Sequence, residues 1–164
     1  MRAALESVKK YFGNKQVNGV EIGVNIGINA KSILSGYPQV NKLYLVDNDS
    51  QNTCEEGKKN LEPFSNRIEW IIKDSVDAAQ MFPDRIFEFV YIDANHSYKA
   101  VCEDIAAWLP KVKDDGIICG HDYQDRDPSK INVIEAVDNW CKGRFKIYSN
   151  KNDMDWWVYK KETL

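Results

Sequence analysis

Long apolar runs are missing from this 164-residue sequence, and no stretch approaches the ~20 residues that a membrane-spanning helix needs. The opening Met-Arg-Ala-Ala-Leu-Glu-Ser-Val-Lys-Lys lacks the continuous apolar core of a secretory signal. Both absences predict a cytoplasmic protein with no membrane partner. Basic runs are equally scarce. No lysine or arginine run exceeds two residues, and 25 acidic against 22 basic residues give a net charge of -3. That balance disfavours a polyanion and predicts no nucleic-acid partner. Cysteine is sparse and scattered, at Cys54, Cys102, Cys119 and Cys141, with no Cys-x-x-Cys pair. Four free, mostly buried thiols are therefore expected, rather than a zinc site or a disulfide framework. Repeats and low-complexity segments are absent. What remains is an ordinary globular composition, 43% hydrophobic and 29% charged. A chain of this length forms one domain over residues 1–164 and buries about 70% of the surface its unfolded form exposes.

Short β-branched and aromatic runs recur at 17–24, 42–46, 68–72, 87–92 and 116–119, and stretches with helical spacing lie between them. Leu5, Val8 and Phe12 suggest an opening helix. Tyr98, Val101, Ile105 and Trp108 share one helical face, as do Val133, Val137 and Trp140. The polar segment 50–61 has to lie on the outside if it is helical. Strands alternating with helices imply a parallel sheet covered on both faces, and the run 87–92 is too apolar to have one wet face. The rhythm then changes. Runs at 144–148 and 154–159 are separated by only five residues, too few for a helical crossover, so they predict an antiparallel hairpin. The expected fold is α/β and Rossmann-like: a seven-stranded mixed sheet, helices on both faces, and a C-terminal antiparallel β-hairpin. Alternation sends one of Trp156 and Trp157 inward and the other out.

The strongest local pattern is Val20-Glu21-Ile22-Gly23-Val24-Asn25-Ile26-Gly27, a buried strand entering a two-glycine turn before a helix. Ligands in such sheets bind beyond the carboxyl ends of the strands. Gly23 and Gly27 would let backbone approach a ligand closely. The spacing is E-x-G-x-x-x-G, not the G-x-G-x-x-G of a dinucleotide turn, and no Gly-Lys-Ser/Thr follows as in a P-loop. An acid before the first glycine repels a pyrophosphate and suits a cationic ligand. The next strand exits through Asp47, twenty residues beyond Gly27, where an acid can accept both hydroxyl protons of a ribose. The third exits through Asp74 and Ser75, and Asp74 can accept from an exocyclic amine. Each acid can equally be a helix cap, a role open to Asp49 and Ser50 as well.

Taken together, the glycine turn and the acids at successive strand ends resemble the class I S-adenosylmethionine-dependent methyltransferases, over about residues 17–159. The resemblance places the acid–glycine turn beneath the methionine part of the cofactor, Asp47 on the ribose and Asp74 on the adenine. It implies a cofactor site made of Glu21, Gly23, Asn25, Gly27, Asp47, Asn48, Asp74, Ser75 and Asp93.

The fourth and fifth runs narrow the resemblance. Ile92-Asp93-Ala94-Asn95-His96-Ser97-Tyr98, then Asp104, then Gly120-His121-Asp122-Tyr123 resemble small-molecule O-methyltransferases of the catechol and macrolide-sugar kind. Ala94 and Asp115 stand where that subgroup carries glycines. Neighbouring parallel strands put Asp93 and Asp122 side by side, and two carboxylates suit a Mg²⁺ that keeps several waters. Tyr123 replaces the asparagine that follows the second acid in catechol enzymes, which makes His121 the nearest third metal ligand. His96 lies three residues after Asp93, the offset of the general-base lysine in those enzymes. Its ordinary pKa near 6.5 leaves imidazole mostly neutral at pH 7. The catalytic candidates are thus His96 and Asp93, and the metal candidates Asp93, Asp122 and His121.

The implied activity is methyl transfer from S-adenosylmethionine to a hydroxyl oxygen, assisted by a divalent metal. A metal-independent N- or O-methyltransferase and a non-catalytic cofactor-binding subunit are the alternatives. A dehydrogenase disagrees with the glycine spacing, and a nucleic-acid enzyme with the charge and with Ile92-Asp93-Ala94-Asn95 at the base-binding position. Roughly sixteen residues precede the first strand, where related enzymes carry helices that cover the acceptor. The expected acceptor is a small molecule or a glycan, in a site that is open or completed by a second subunit of a homodimer. The polar loop 123–128 is a candidate acceptor-side lid.

Overall fold

The structure is a computed structural model that describes residues 1–124 and 131–164, apart from the side chain of residue 131. Among the described residues, six α-helices and seven strands largely alternate: α1 (Ala3–Phe12), β1 (Val17–Ile22), α2 (Ile28–Gly36), β2 (Val40–Asp47), α3 (Cys54–Asn60), β3 (Ile68–Ile72), α4 (Ser75–Ala79), β4 (Phe87–Ile92), α5 (Tyr98–Trp108), β5 (Val112–Gly120), α6 (Ile131–Cys141), β6 (Tyr148–Asn150) and β7 (Asp155–Tyr159). The sheet order is β3-β2-β1-β4-β5-β7-β6. The first five strands in that order are mutually parallel, and β7 runs antiparallel to both β5 and β6. The mixed sheet with a closing hairpin therefore has the expected architecture.

Two apolar clusters cover the two faces. Val20, Ile22, Val90, Ile92, Ile118 and Trp156 point toward α4, α5 and α6. Leu43, Leu45, Phe89, Tyr91, Ile117 and Cys119 point toward α1 and α2. All six residues of β4 are buried, including Glu88, which is paired with Asn18 and Lys113. Trp156 is buried on the first face, while Trp157 is half-buried on the second. The outward tryptophan thus packs under the helical layer that includes α1 instead of facing solvent. Among the described residues no helix is long and apolar enough to cross a membrane.

Several local expectations need correction. The first strand of the hairpin is Tyr148–Asn150, not 144–148. Upstream of it, Arg144 lies 4.0 Å over the Trp140 ring and Phe145 stacks on that ring, so the alternating pattern there is used for packing on α6. Phe145 keeps a single bridge, to Thr163. Val101, Ile105 and Trp108 are buried as expected, but Tyr98 begins α5 and is exposed. Residues 125–128 of the loop proposed as a lid lie outside the described residues.

Candidate active site

A cavity of about 850 Å³ opens beyond the carboxyl ends of β1 to β4, bordered by Gly23, Asp47, Asp74 and Asp93. The sheet order sets these in a row: Asp74 after β3, Asp47 ending β2, the glycine turn after β1, and Asp93 after β4.

Asp47 fixes the turn. Its Oδ2 accepts the amides of Val24 and Asn25 at 2.8 and 3.0 Å, and its Oδ1 accepts the amide of Asp49 at 2.8 Å. Asp47 is therefore not a helix cap. That service falls to Asp49, which accepts the Cys54 amide at the start of α3. Asn25 borders the cavity with φ +52°, a conformation asparagine tolerates better than most residues. Gly23 and Gly27 also have positive φ, +81° and +79°. A Cβ on Gly23 would overlap the carbonyl of Asp93, and one on Gly27 would sit 2.8 Å from Leu61. The glycines thus permit close packing of protein on protein, where the sequence suggested room for a ligand. Gly27 does not border the cavity.

Glu21 lies beneath the turn, 1% exposed. Its Oε1 accepts from Asn29 Nδ2 at 3.1 Å, while Glu21 Oε2 and Asn29 Oδ1 are buried without a partner. Both are acceptor oxygens left without a donor among the described residues. Burial raises the Glu21 pKa to about 8, against the Asn29 hydrogen bond and with help from the charge of Asp93. The carboxyl is a mostly neutral part of the scaffold at pH 7 and not an exposed negative charge.

At the other end of the row, Asp74 accepts from Asn48 Nδ2 at 2.9 Å, so these two predicted cofactor residues share one bond. Ser75 accepts from Trp108 Nε1 at 2.8 Å and caps nothing. Asp104 beside it is buried, and burial raises its pKa to about 6 against a hydrogen bond from Ser75.

The chemical cluster forms where β4 and β5 end together. His121 N–H bonds to the Ile92 carbonyl and Tyr123 N–H to the Met154 carbonyl, holding Asp122 between them at φ +58°. His96 Nε2 lies 3.0 Å from Asp122 Oδ2 and 3.4 Å from Asp93 Oδ1. His121 Nδ1 is 3.4 Å from Asp122 Oδ1 and 3.8 Å from Asp93 Oδ1. Asp93, His96 and Asp122 each present one ligand atom within 4.8 Å of the others, and His121 faces the same two carboxylates. Tyr123 turns away and donates to Asp138 on α6 at 2.6 Å.

Arg2 is the residue that sequence reasoning missed. Its Nη1 donates to Asp93 Oδ2 and to the Tyr91 hydroxyl, each at 2.7 Å. Asp93 thus divides its oxygens, Oδ2 toward Arg2 and Oδ1 toward the histidines. No motif marks an isolated arginine at position 2. The available signal was Asp155, an acid in the apolar run Trp156-Trp157-Val158, which implied a buried polar partner.

A family model described as a methyltransferase domain matches residues 20–123, more than half of the chain. The chain belongs to that family. The match covers the strand ends that border the cavity but not Arg2. Solved structures agree on the fold. A cofactor-bound protein from MTB, Rv0187, superposes with a TM-score of 0.76 at 12% identity, over 97% of this methyltransferase and 79% of that chain. A Staphylococcus aureus protein assigned as a caffeoyl-CoA O-methyltransferase gives 0.72 at 16% identity, over 97% and 84%. The SAH-bound Podospora anserina methyltransferase PaMTH1 gives 0.70 at 12% identity, over 95% and 75%. A search of curated proteins gives no match. The residues present suit S-adenosylmethionine. Asp47 and Asp74 offer acceptors of the kind that ribose hydroxyls and an adenine amine need, and the cavity is large enough for a nucleoside with an amino-acid tail. Two carboxylates and an imidazole at one point likewise suit a hard or borderline divalent ion.

Proposed function

We propose that this methyltransferase moves the sulfonium methyl of S-adenosylmethionine to a hydroxyl oxygen of a small molecule or a sugar, with a divalent ion such as Mg²⁺ held by Asp93 and Asp122. The observation that carries this reading is the meeting of Asp93, His96 and Asp122 beside the row of cofactor-facing acids. When bound, the cofactor supplies an activated methyl group, and the ion supplies positive charge beside the acceptor oxygen.

The chain's own residues do the rest. Asp47 and Asp74 accept from the nucleoside, and Asp47 keeps the turn beneath it in shape. His96 would receive the proton of the acceptor hydroxyl, and the methyl group would come from the cofactor held by Asp47 and Asp74. Both neighbouring carboxylates can only accept when ionised, so an imidazole proton on Nε2 bonds to them. The position of the cluster at the cavity margin brings acceptor and cofactor together, so orientation supplies much of the acceleration.

The test is calorimetric binding of S-adenosylmethionine and S-adenosylhomocysteine with and without Mg²⁺. A mass-spectrometric screen of sugars and phenols, with and without chelator, follows it. Micromolar binding, about -8 kcal/mol, and methylation that chelator abolishes are expected. A folded protein that binds neither nucleoside overturns the reading. Methylation that survives chelation removes the metal from it.

A further inference from the structure

An α-amino acid brings a carboxylate as well as an ammonium into its site, and the rim of this cavity is mostly acidic. Asp47, Asp74, Asp93, Glu103 and Asp104 all border it. A bound carboxylate facing only such neighbours would be repelled, so it needs a cation at the correct end of the cavity. Resting on the cofactor reading above, we infer that Arg2 receives the α-carboxylate of the methionine portion of S-adenosylmethionine.

Position supports this assignment. The sheet order β3-β2-β1-β4 runs from Asp74 and Asp47, which suit the nucleoside, to Asp93 at the far end of the row. Lys73 borders the cavity beside Asp74, at the nucleoside end, whereas Arg2 borders it beside Asp93. Arg2 and Asp93 together form a plus–minus pair that matches the minus–plus pair of a zwitterion.

Bonding supports it too. Among the described residues, Arg2 makes its hydrogen bonds through Nη1 alone, to Tyr91 and Asp93. Nη2 and Nε remain as donors, and a guanidinium fork fits a carboxylate in bidentate fashion.

The arginine is also held in place. The Tyr91 hydroxyl that accepts from Arg2 donates to Oδ1 of the fully buried Asp155 at 2.9 Å. Asp155 Oδ2 accepts the Ala4 amide at 2.9 Å, and Asp153 accepts the Ala3 amide at 3.0 Å. Two backbone amides following Arg2 are thus tied to the hairpin, and its side chain rests on a tyrosine that is itself fixed. A guanidinium held this way has lost much of its freedom before a ligand arrives, so little further ordering opposes binding.

The experiment compares two ligands on three proteins by calorimetry: S-adenosylhomocysteine and its decarboxylated analogue, on the wild type, Arg2→Met and Arg2→Lys. The wild type is expected to bind S-adenosylhomocysteine ~10–100-fold more tightly than the analogue, as for a charge-assisted pair. Arg2→Met is expected to remove that preference and leave the analogue's affinity unchanged, and Arg2→Lys to restore part of it. Equal weakening of both ligands by Arg2→Met would make Arg2 a support for the fold and overturn the inference. A wild-type ratio near one overturns it without reference to any variant's folding. Wild-type binding of S-adenosylhomocysteine that Arg2→Met leaves intact overturns this inference alone. Absence of wild-type binding to either ligand overturns the cofactor reading and this inference with it.

Discussion

Replacing Glu21 with glutamine tests the least obvious feature of the site, a carboxyl that carries a proton at neutral pH. The side chain is 1% exposed, and its pKa is raised by burial from 4.5 to about 8. A carboxyl with a raised pKa binds a proton in the folded state that the unfolded state has released. Stability therefore falls as pH rises from 4.5 to about 8 and is level above that. Three and a half pH units at ~1.4 kcal/mol each correspond to ~5 kcal/mol, a large part of the stability of a domain of this size. Glutamine keeps the shape and stays neutral at every pH in this range. The assay is urea unfolding of both proteins from pH 4.5 to 9, followed by tryptophan fluorescence. The two proteins should be nearly equal at pH 4.5 and diverge in favour of Glu21→Gln as pH rises, with the gap constant above pH 8. Asp104 and Asp155, whose pKa values are also raised by burial, add slopes common to both proteins, and these cancel in the difference. Parallel profiles would refute the reasoning.

The remaining substitutions probe the chemistry and the turn. His96→Ala should lower turnover by ~10²–10⁴-fold while leaving Mn²⁺ affinity unchanged in calorimetry. A loss of metal affinity in its place would make His96 a ligand and not the base. Asp122→Asn should weaken Mn²⁺ binding by about tenfold or more, and an unaltered isotherm would dismiss Asp122 as a ligand. Gly23→Ala combines φ +81° with overlap on the Asp93 carbonyl. It should cost ~3 kcal/mol or more in urea unfolding, and a cost below ~1 kcal/mol would show that the β1 and β4 ends separate easily.

The sheet was legible because burial on both faces leaves a plain trace. Runs such as Phe87-Glu88-Phe89-Val90-Tyr91-Ile92 carry a single charge, and that one has a partner. Glu88 accepts the Asn18 amide and pairs with Lys113. The hairpin boundary was less legible, since an alternating pattern at 144–148 serves equally for a strand and for stacking on Trp140. The acids at the strand ends were legible as a set, yet their individual duties were not. Asp47 and Asp49 are two residues apart with similar capping ability, and only the backbone geometry sends one to the glycine turn and the other to α3. Arg2 was invisible for a different reason. Its partners lie 89 and 91 residues away, and no local pattern encodes a contact of that range.

That range bears on how the protein is made. The Ala4–Asp155 bond joins residues 151 positions apart, so this support of the arginine forms only after β7 has left the ribosome. The parallel half of the sheet, with its row of acids, is synthesised well before that moment. A ribosome-bound chain stalled before residue 155 would thus carry a nucleoside pocket without its fixed guanidinium. A cut before residue 155 would likewise take away the carboxylate that ties Ala4 and Tyr91, the two supports of Arg2.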